Sequence, residues 1–416
     1  MKTSLLFLVH RIPYPPDKGD KIRSYHLLRH LSQRFRIFLG AFVDDPADWD
    51  HEPTLRALCQ DLCLVGIRPT RRKLASLSGL FNREPLSVSY YRNQRLQRWV
   101  EETLARESIE RALVFSSPMA QYVLGEGGNA LHRVIDFVDV DSEKWRQYGR
   151  QAPWPMSWLY RWEGKALRRW ERRVAADFDA SVFVTREEEE LFCSFAPEAR
   201  ERVRHVNNGV DTEFFSPEGI YLDPYPLESK VLVFTGAMDY WANVDAVTWF
   251  AREVFPEVRA RVSNALFFIV GARPSERVLR LAAMPGVTVT GQVHDIRPYL
   301  AHARPSVAPL RVARGVQNKV LEAWAMAKPV LATPSALEGL CLPDGLERFV
   351  AEDQETLAAR CVELLEADAG AIGRLGRTAR ELDLRRYDWS AHLEAFDRLL
   401  GLEAAEPSLL PQGCSR

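Results

Sequence analysis

Six cysteines in 416 residues, scattered at positions 59, 63, 193, 341, 361 and 414, are too few and too dispersed for a disulfide framework. Cys59 and Cys63 lack a second ligand pair nearby, so they do not spell a metal site either. We read all six as reduced thiols, mostly core filler. No apolar run approaches the roughly 18 residues of a membrane span. The opening MKTSLLFLVHRIPYPP has a short apolar run that Arg11 ends, and no small-residue cleavage site follows. It reads as a buried first strand and not as a signal peptide. Excess charge is also missing. Lys and Arg total 55 against 56 Asp and Glu, a formal net charge of −1. That balance gives no global field for nucleic acid. Low-complexity tracts and obvious internal repeats are absent as well. What remains is a 46% hydrophobic chain long enough for two globular domains.

Short apolar runs alternate with helical patterns. Strands are expected at 4–10, 37–42, 112–116, 133–138 and 180–185, with a short one at 204–206, and helices at 20–32, 94–108 and 158–176. This rhythm predicts a parallel sheet covered by helices on both faces. Residues 216–229, rich in Pro and turn formers, read as a linker. The rhythm then restarts with strands at 231–236, 265–270, 287–290, 306–309 and 329–333, and a helix at 244–258. The expectation is an α/β protein of two doubly wound domains, 1–215 and 216–387. Ligands of such sheets bind outside the carboxyl ends of the strands, so a cleft between two facing sheets is the expected site.

The most informative stretch is RVARGVQNKVLEAWAMAKPVLATPSALEGL, residues 311–340. Gly315 leads into a helix carrying Lys319 and, three residues on, Glu322; the helix stops at Lys328-Pro329 and a strand follows. A helix N-terminus offers free N–H groups and positive dipole, and residues three apart share a face. Amides, an ammonium and a carboxylate in that order suit a nucleoside diphosphate, with glutamate on ribose hydroxyls. Opposite charges about 4 Å apart attract by roughly 4 kcal/mol at an effective dielectric near 20. The helix terminus adds roughly 0.3–1 kcal/mol, so Lys319 is expected to dominate diphosphate affinity. The alternative is a surface Lys–Glu pair worth about 0.2–0.5 kcal/mol.

Several segments together resemble the GT-B glycosyltransferases, specifically the large retaining family four. VNNGVDTEFFSP (206–217) resembles the interdomain motif, and FVTREEEELF (183–192) the strand and helix before it. VFTGAMDYWANVDAVTWF (233–250) is similar to the opening of the nucleotide-sugar domain, and VTGQVHDIRPYLAHARPSVAPL (289–310) to the nucleobase loop. Residues 311–340 resemble the donor helix, RRYDWSAHLEAFDRLL (385–400) the closing helix, and IPYPPDKGDKIRSYHLLRHLS (12–32) the first loop and helix. The nearest likeness is to sugar transferases found with exosortase and exopolysaccharide gene clusters. The resemblance implies two Rossmann-like domains facing across a cleft, with residues from about 388 to 416 crossing back to the first. It also implies retention, a nucleotide-sugar donor, a glycan or lipid-linked acceptor, and no metal or other cofactor. Donor or substrate contacts are implied at Gly19, Asp20, Arg23, Asn208, Gly236, Val293, His294, Arg314, Gly315, Val316 and Asn318, with Lys319 and Glu322 catalytic. Two departures stand out. Arg314 falls where the family has its first glutamate, and the loop after Gly236, AMDYWANVD, lacks the usual basic pair. Arg314 and Lys319 are expected to supply that charge, arginine through paired bonds to phosphate.

Other residues keep two readings each. Gly19 is either a close-approach site or a plain turn glycine. Arg23 either holds an acidic acceptor or is solvated. Asp139 falls where relatives place a sugar-contacting histidine, and a carboxylate there suits a general base; the alternative is that Asp136, Asp139 or Asp141 caps the next helix. Asp139-Val140-Asp141 also spells a metal-binding D-x-D, which the GT-B likeness discounts. Asn208-Gly209 reads as a left-handed turn at the domain junction. His294 either frames the nucleobase or is merely exposed. The segment 154–173, WPMSWLYRWEGKALRRWERR, interleaves aromatics with cations. It suits either an anionic membrane surface or a core helix with a solvated basic face. The leading function is therefore a cytoplasmic glycosyltransferase, peripheral on the inner face of the membrane. A nucleotide-sugar epimerase and a non-catalytic nucleotide-sugar-binding component are the alternatives.

Overall fold

The computed structural model describes residues 2–402, apart from 17–18, 69, 71, 73–75, 77, 126–130 and 314–315. The chain divides into two compact units, one reaching Asn207 and resuming at His392, the other Asn208–Ala391.

Unit 1 holds a seven-stranded sheet in the order β3-β2-β1-β4-β5-β6-β7, parallel throughout. The strands are β1 (Thr3–Val9), β2 (Phe35–Val43), β3 (Asp61–Gly66), β4 (Ile109–Phe115), β5 (His132–Val138), β6 (Ala180–Phe183) and β7 (Val203–His205). From Ser4 onward β1 is buried at every position, as a central strand covered on both faces must be. The covering helices include α1 (Gly19–Ser32), α2 (Gln94–Arg106), α3 (Asp141–Gln151), α4 (Met156–Asp177) and α5 (Arg186–Phe195). Local chemistry starts them. Asn93 accepts from Arg95 and Leu96 N–H ahead of α2, and Thr185 from Glu188 N–H ahead of α5. The C-terminal segment completes the unit. Asp397 holds His30 (3.0 Å) and Arg34 (2.8 Å), and the carbonyls of Leu399 and Leu400 accept from His132 and Arg111 at 2.7 Å each.

Unit 2 holds a five-stranded parallel sheet ordered β10-β9-β8-β11-β12. These are β8 (Lys230–Thr235), β9 (Ala265–Val270), β10 (Val287–Gly291), β11 (Ser306–Ala308) and β12 (Val330–Ala332). Helices α6 (Trp241–Trp249), α7 (Asn318–Ala325), α8 (Gln354–Glu366) and α9 (Ala369–Arg386) pack around it. The chain thus folds as two parallel-sheet, Rossmann-like α/β units. In each, strand order reverses beside the first strand, between β1 and β4 and between β8 and β11. That reversal is where such sheets open a crevice for ligands.

The structure departs from the sequence expectation in four places. β3 was not anticipated. The helix expected over 244–258 is broken: α6 ends at Trp249, a π-turn spans Phe250–Val254, and a separate helix runs Phe255–Arg261. Pro256 supplies the reason, since it has no N–H and its ring clashes with the preceding turn. Gly209 does not adopt a left-handed conformation. Its need for glycine is close approach: a Cβ there would lie 2.7 Å from Tyr387 O, beside the Val210–Asp388 bridge. Finally, Cys341 is disulfide-bonded, whereas Cys59, Cys63, Cys193 and Cys361 are free thiols as expected.

Candidate active site

In unit 2 the key groups gather at the carboxyl end of β8. The strand runs out at Gly236, whose φ is +150°, and its N–H donates to Val270 O at 3.1 Å. Gly271, at the end of β9, passes so close that a Cβ there would sit 1.7 Å from Gly236 O. Both positions exclude side chains, and the space this leaves is used. A Cβ on Gly236 would meet Asn243 Nδ2 at 2.9 Å and Lys319 Cε at 3.4 Å. Asn243, buried in α6, donates to Ala237 O (2.9 Å) and accepts from Lys319 Nζ (3.0 Å). The ammonium also lies 5.2 Å from the Phe234 ring centre.

α7 is amphipathic. Val320, Leu321, Ala323, Trp324 and Ala325 enter the core, leaving Lys319 and Glu322 half-buried on the other face. Burial pushes the Lys319 amine down to about 8, against the opposing pull of Glu322. Burial likewise raises the Glu322 carboxyl to about 7, against Lys319. Each group therefore changes charge near neutrality, and a bound anion would favour the charged lysine. Such perturbed groups at a strand end mark a site candidate.

Other sequence candidates in unit 2 fall in varied places. Asn318 opens α7 half-buried, and its Oδ1 is shielded from solvent without a hydrogen bond. The Val316 side chain is buried in the core cluster, so only its backbone could meet a ligand. Val293 packs partly against the same cluster, while His294 is exposed. Asn208 is half-buried where the unit begins. Arg314 and Gly315 lie outside the described residues. Asn243 is the residue that sequence reasoning missed.

In unit 1, α1 brings its candidates to the ends of β1 and β5. Gly19 is exposed, and a Cβ there would meet nothing within 4 Å, so packing does not require glycine. Asp20 accepts from His10 Nε2 (3.2 Å) and Arg11 NH1 (2.5 Å). Burial opposes its charge, yet these partners hold its carboxyl well below the usual range. Arg23 is neither solvated nor open to an acceptor: it is buried, and its Nε donates to the buried Asp136 at 2.6 Å.

After Asp136 the backbone is strained. Val138 has φ 69°, rare for a β-branched residue, and Asp139 N–H closes onto Phe137 O at 3.0 Å in a three-residue turn. Ser116, at the end of neighbouring β4, has φ 76°. Strain of this kind clusters at functional sites. Asp139 does not cap α3, whose N-cap is Val140. Its carboxylate takes Lys144 Nζ at 2.6 Å, and Asp141 reaches the same ammonium at 3.4 Å. The D-x-D carboxylates thus converge on a lysine.

Residues 229–367, from before β8 through α8, match the family profile described as glycosyl transferases group 1. No curated protein sequence matches the chain. HepE from Anabaena, solved with UDP and glucose, aligns at TM-score 0.63 and 14% identity, covering 96% of this chain and 99% of its own. Sucrose-phosphate synthase from Thermosynechococcus elongatus aligns at 0.61 and 16%, covering 96% and 98%. WaaG, a glycosyltransferase involved in lipopolysaccharide biosynthesis, aligns at 0.61 and 16%, covering 95% and 100%. The chain has the GT-B fold, and within its second unit residues 229–367 match the group 1 glycosyl transferase profile.

Proposed function

We propose that this protein is a retaining glycosyltransferase that moves a sugar from a nucleotide-sugar donor to a hydroxyl acceptor. The acceptor class is a lipid-linked glycan of exopolysaccharide synthesis, handled beside an anionic membrane surface. The observation that carries the reading is Lys319, held on Asn243 at the end of β8 with Glu322 one turn on, inside the segment that matches the group 1 profile.

The ammonium neutralises the diphosphate as it departs, joined by Arg314. Because that charge grows toward the transition state, the lysine acts mainly on rate. Glu322 takes the ribose hydroxyls. The missing side chain at Gly236 makes room for Asn243 and Lys319, which keeps the ammonium at the strand end where the diphosphate departs. Asp139, anchored by Lys144 beyond the strained turn, is the carboxylate assigned to the acceptor hydroxyl.

A thermal-shift screen of nucleoside diphosphates and their sugars tests the donor half. A ligand at 100 times its dissociation constant adds about 2.7 kcal/mol. Incubation of the stabilising donor with and without glycan acceptors, read by NMR of the anomeric proton, tests the rest. Transfer with the donor configuration preserved supports the reading. Conversion of donor without acceptor, or binding without turnover across acceptors, refutes it.

A further inference from the structure

The α3–α4 hairpin carries chemistry that sugar transfer leaves unused. Two glycines let its helices pack tightly. A Cβ on Gly149 would come 2.8 Å from Arg161 Cγ, and one on Gly164 would come 3.0 Å from Ser142 O. Beside this contact opens a cavity of about 400 Å³ whose charged lining is Arg146, Arg150, Arg161, Lys165 and Arg168 against one carboxylate, Glu143. Glu143 is already taken by Arg146 at 2.8 Å. Arg161 is fixed on Gly149 O (3.1 Å) and Arg168 over the Phe195 ring (4.0 Å), while Arg150 and Lys165 are exposed. Five cations facing a single carboxylate make an anion site.

The same hairpin exposes large apolar side chains where its helices join. Trp154 is 83% exposed, Trp158 56%, Tyr148 45% and Met156 39%. A soluble anion would use the cations and leave this tip in water. An anionic bilayer uses both, since tryptophan and tyrosine favour the headgroup layer and clustered cations favour lipid phosphate.

We propose that the hairpin docks on an anionic bilayer, with the aromatic tip in the interfacial layer and a lipid phosphate headgroup in the basic cavity. This deepens the membrane contact in the reading above by naming the headgroup and its ligands, and it is tested without any sugar chemistry.

The experiment is co-sedimentation of the full chain with phosphatidylcholine vesicles, with and without phosphatidylglycerol, at low and high salt. The expected result is binding only to the anionic vesicles, released by salt. Each cation near such a surface is worth about fivefold in partitioning, so Arg150→Gln/Lys165→Gln should weaken binding about 25-fold. Both side chains are exposed, so the fold should survive, which an unchanged melting temperature verifies. Trp154→Ser/Trp158→Ser should also weaken binding while keeping the anionic preference. Arg252→Gln/Arg261→Gln, which removes two exposed cations in unit 2, should change nothing. No sedimentation at low salt, equal binding to neutral vesicles, or an equal loss in the Arg252/Arg261 control overturns the proposal. A nucleotide-induced thermal shift that persists in all variants would leave the donor reading intact whichever way the vesicles decide.

Discussion

Lys319 Nζ donates to Asn243 Oδ1 across 3.0 Å, joining α6 to α7. The bond fixes a flexible ammonium at the end of β8, beside a glycine turn whose missing side chain makes room for both partners. Removing the charge and removing its support should therefore differ in kind. Lys319→Ala should cut kcat by about 10²–10³-fold, as loss of a transition-state charge partner does, with a smaller rise in donor KM. Asn243→Ala should act more weakly, about tenfold, at the low end of the about 1.5–3 kcal/mol that a hydrogen bond to a charged group is worth, because the ammonium itself remains. Steady-state kinetics with saturating acceptor separates the two. A wild-type rate for Lys319→Ala removes the lysine from the mechanism.

Glu322 gives the unliganded protein a pH signature. Its carboxyl stands at about 7 in the folded chain, above the usual value of 4.5. The native state then holds a proton that the unfolded chain has released. That contribution is complete below the unfolded value and is lost as pH rises through about 7. Lys319, lowered to about 8, has the opposite form, losing its contribution as pH falls through that value. In Glu322→Gln the fall in melting temperature from weakly acidic to neutral pH should flatten relative to wild type. Parallel profiles for the two proteins would show that the carboxyl is not buried as described.

Gly271 and Gly291, at the ends of β9 and β10, should differ in tolerance. Gly271→Ala places a methyl 1.7 Å from Gly236 O, so backbone must move. A cost of about 3 kcal/mol is expected from overpacking plus positive-φ strain. Gly291→Ala has open space and bears only the strain of φ +71°, about 1–2 kcal/mol. Urea unfolding of the two variants checks the order.

Arg23 should behave as a structural residue. Arg23→Ala leaves Asp136 buried without its charge partner, which costs about 3–5 kcal/mol. Arg23→Met with Asp136→Leu should recover most of that. Chemical denaturation is the readout, and a variant of unchanged stability with a raised acceptor KM would restore the binding role.

How far the sequence reached can be traced residue by residue. β1 and β8 were legible because a doubly covered strand is a near-continuous apolar run. β3 was missed because DLCLVG is short and opens on a charged residue. The Lys319–Glu322 face was legible because helix spacing alone sets it. Asn243 was not, since α6, WANVDAVTW, scatters Asn243, Asp245 and Thr248 among apolar residues and nothing in their spacing singles out Asn243. Nor was the Arg23–Asp136 pair, whose members lie 113 residues apart and meet only through sheet order. Gly209 was recognised as special for a different reason from the one the backbone gives: proximity to Tyr387 O is a tertiary fact.

Unit 1 is discontinuous, and this orders its birth. His30, Arg111 and His132 each take their shortest polar contact from residues 397–400. On the ribosome, the first unit must wait, partly assembled, until the whole second unit has been translated. The domain begun first is thus finished last, and a nascent chain arrested before Asp397 would expose an incomplete sheet cover to chaperones and proteases.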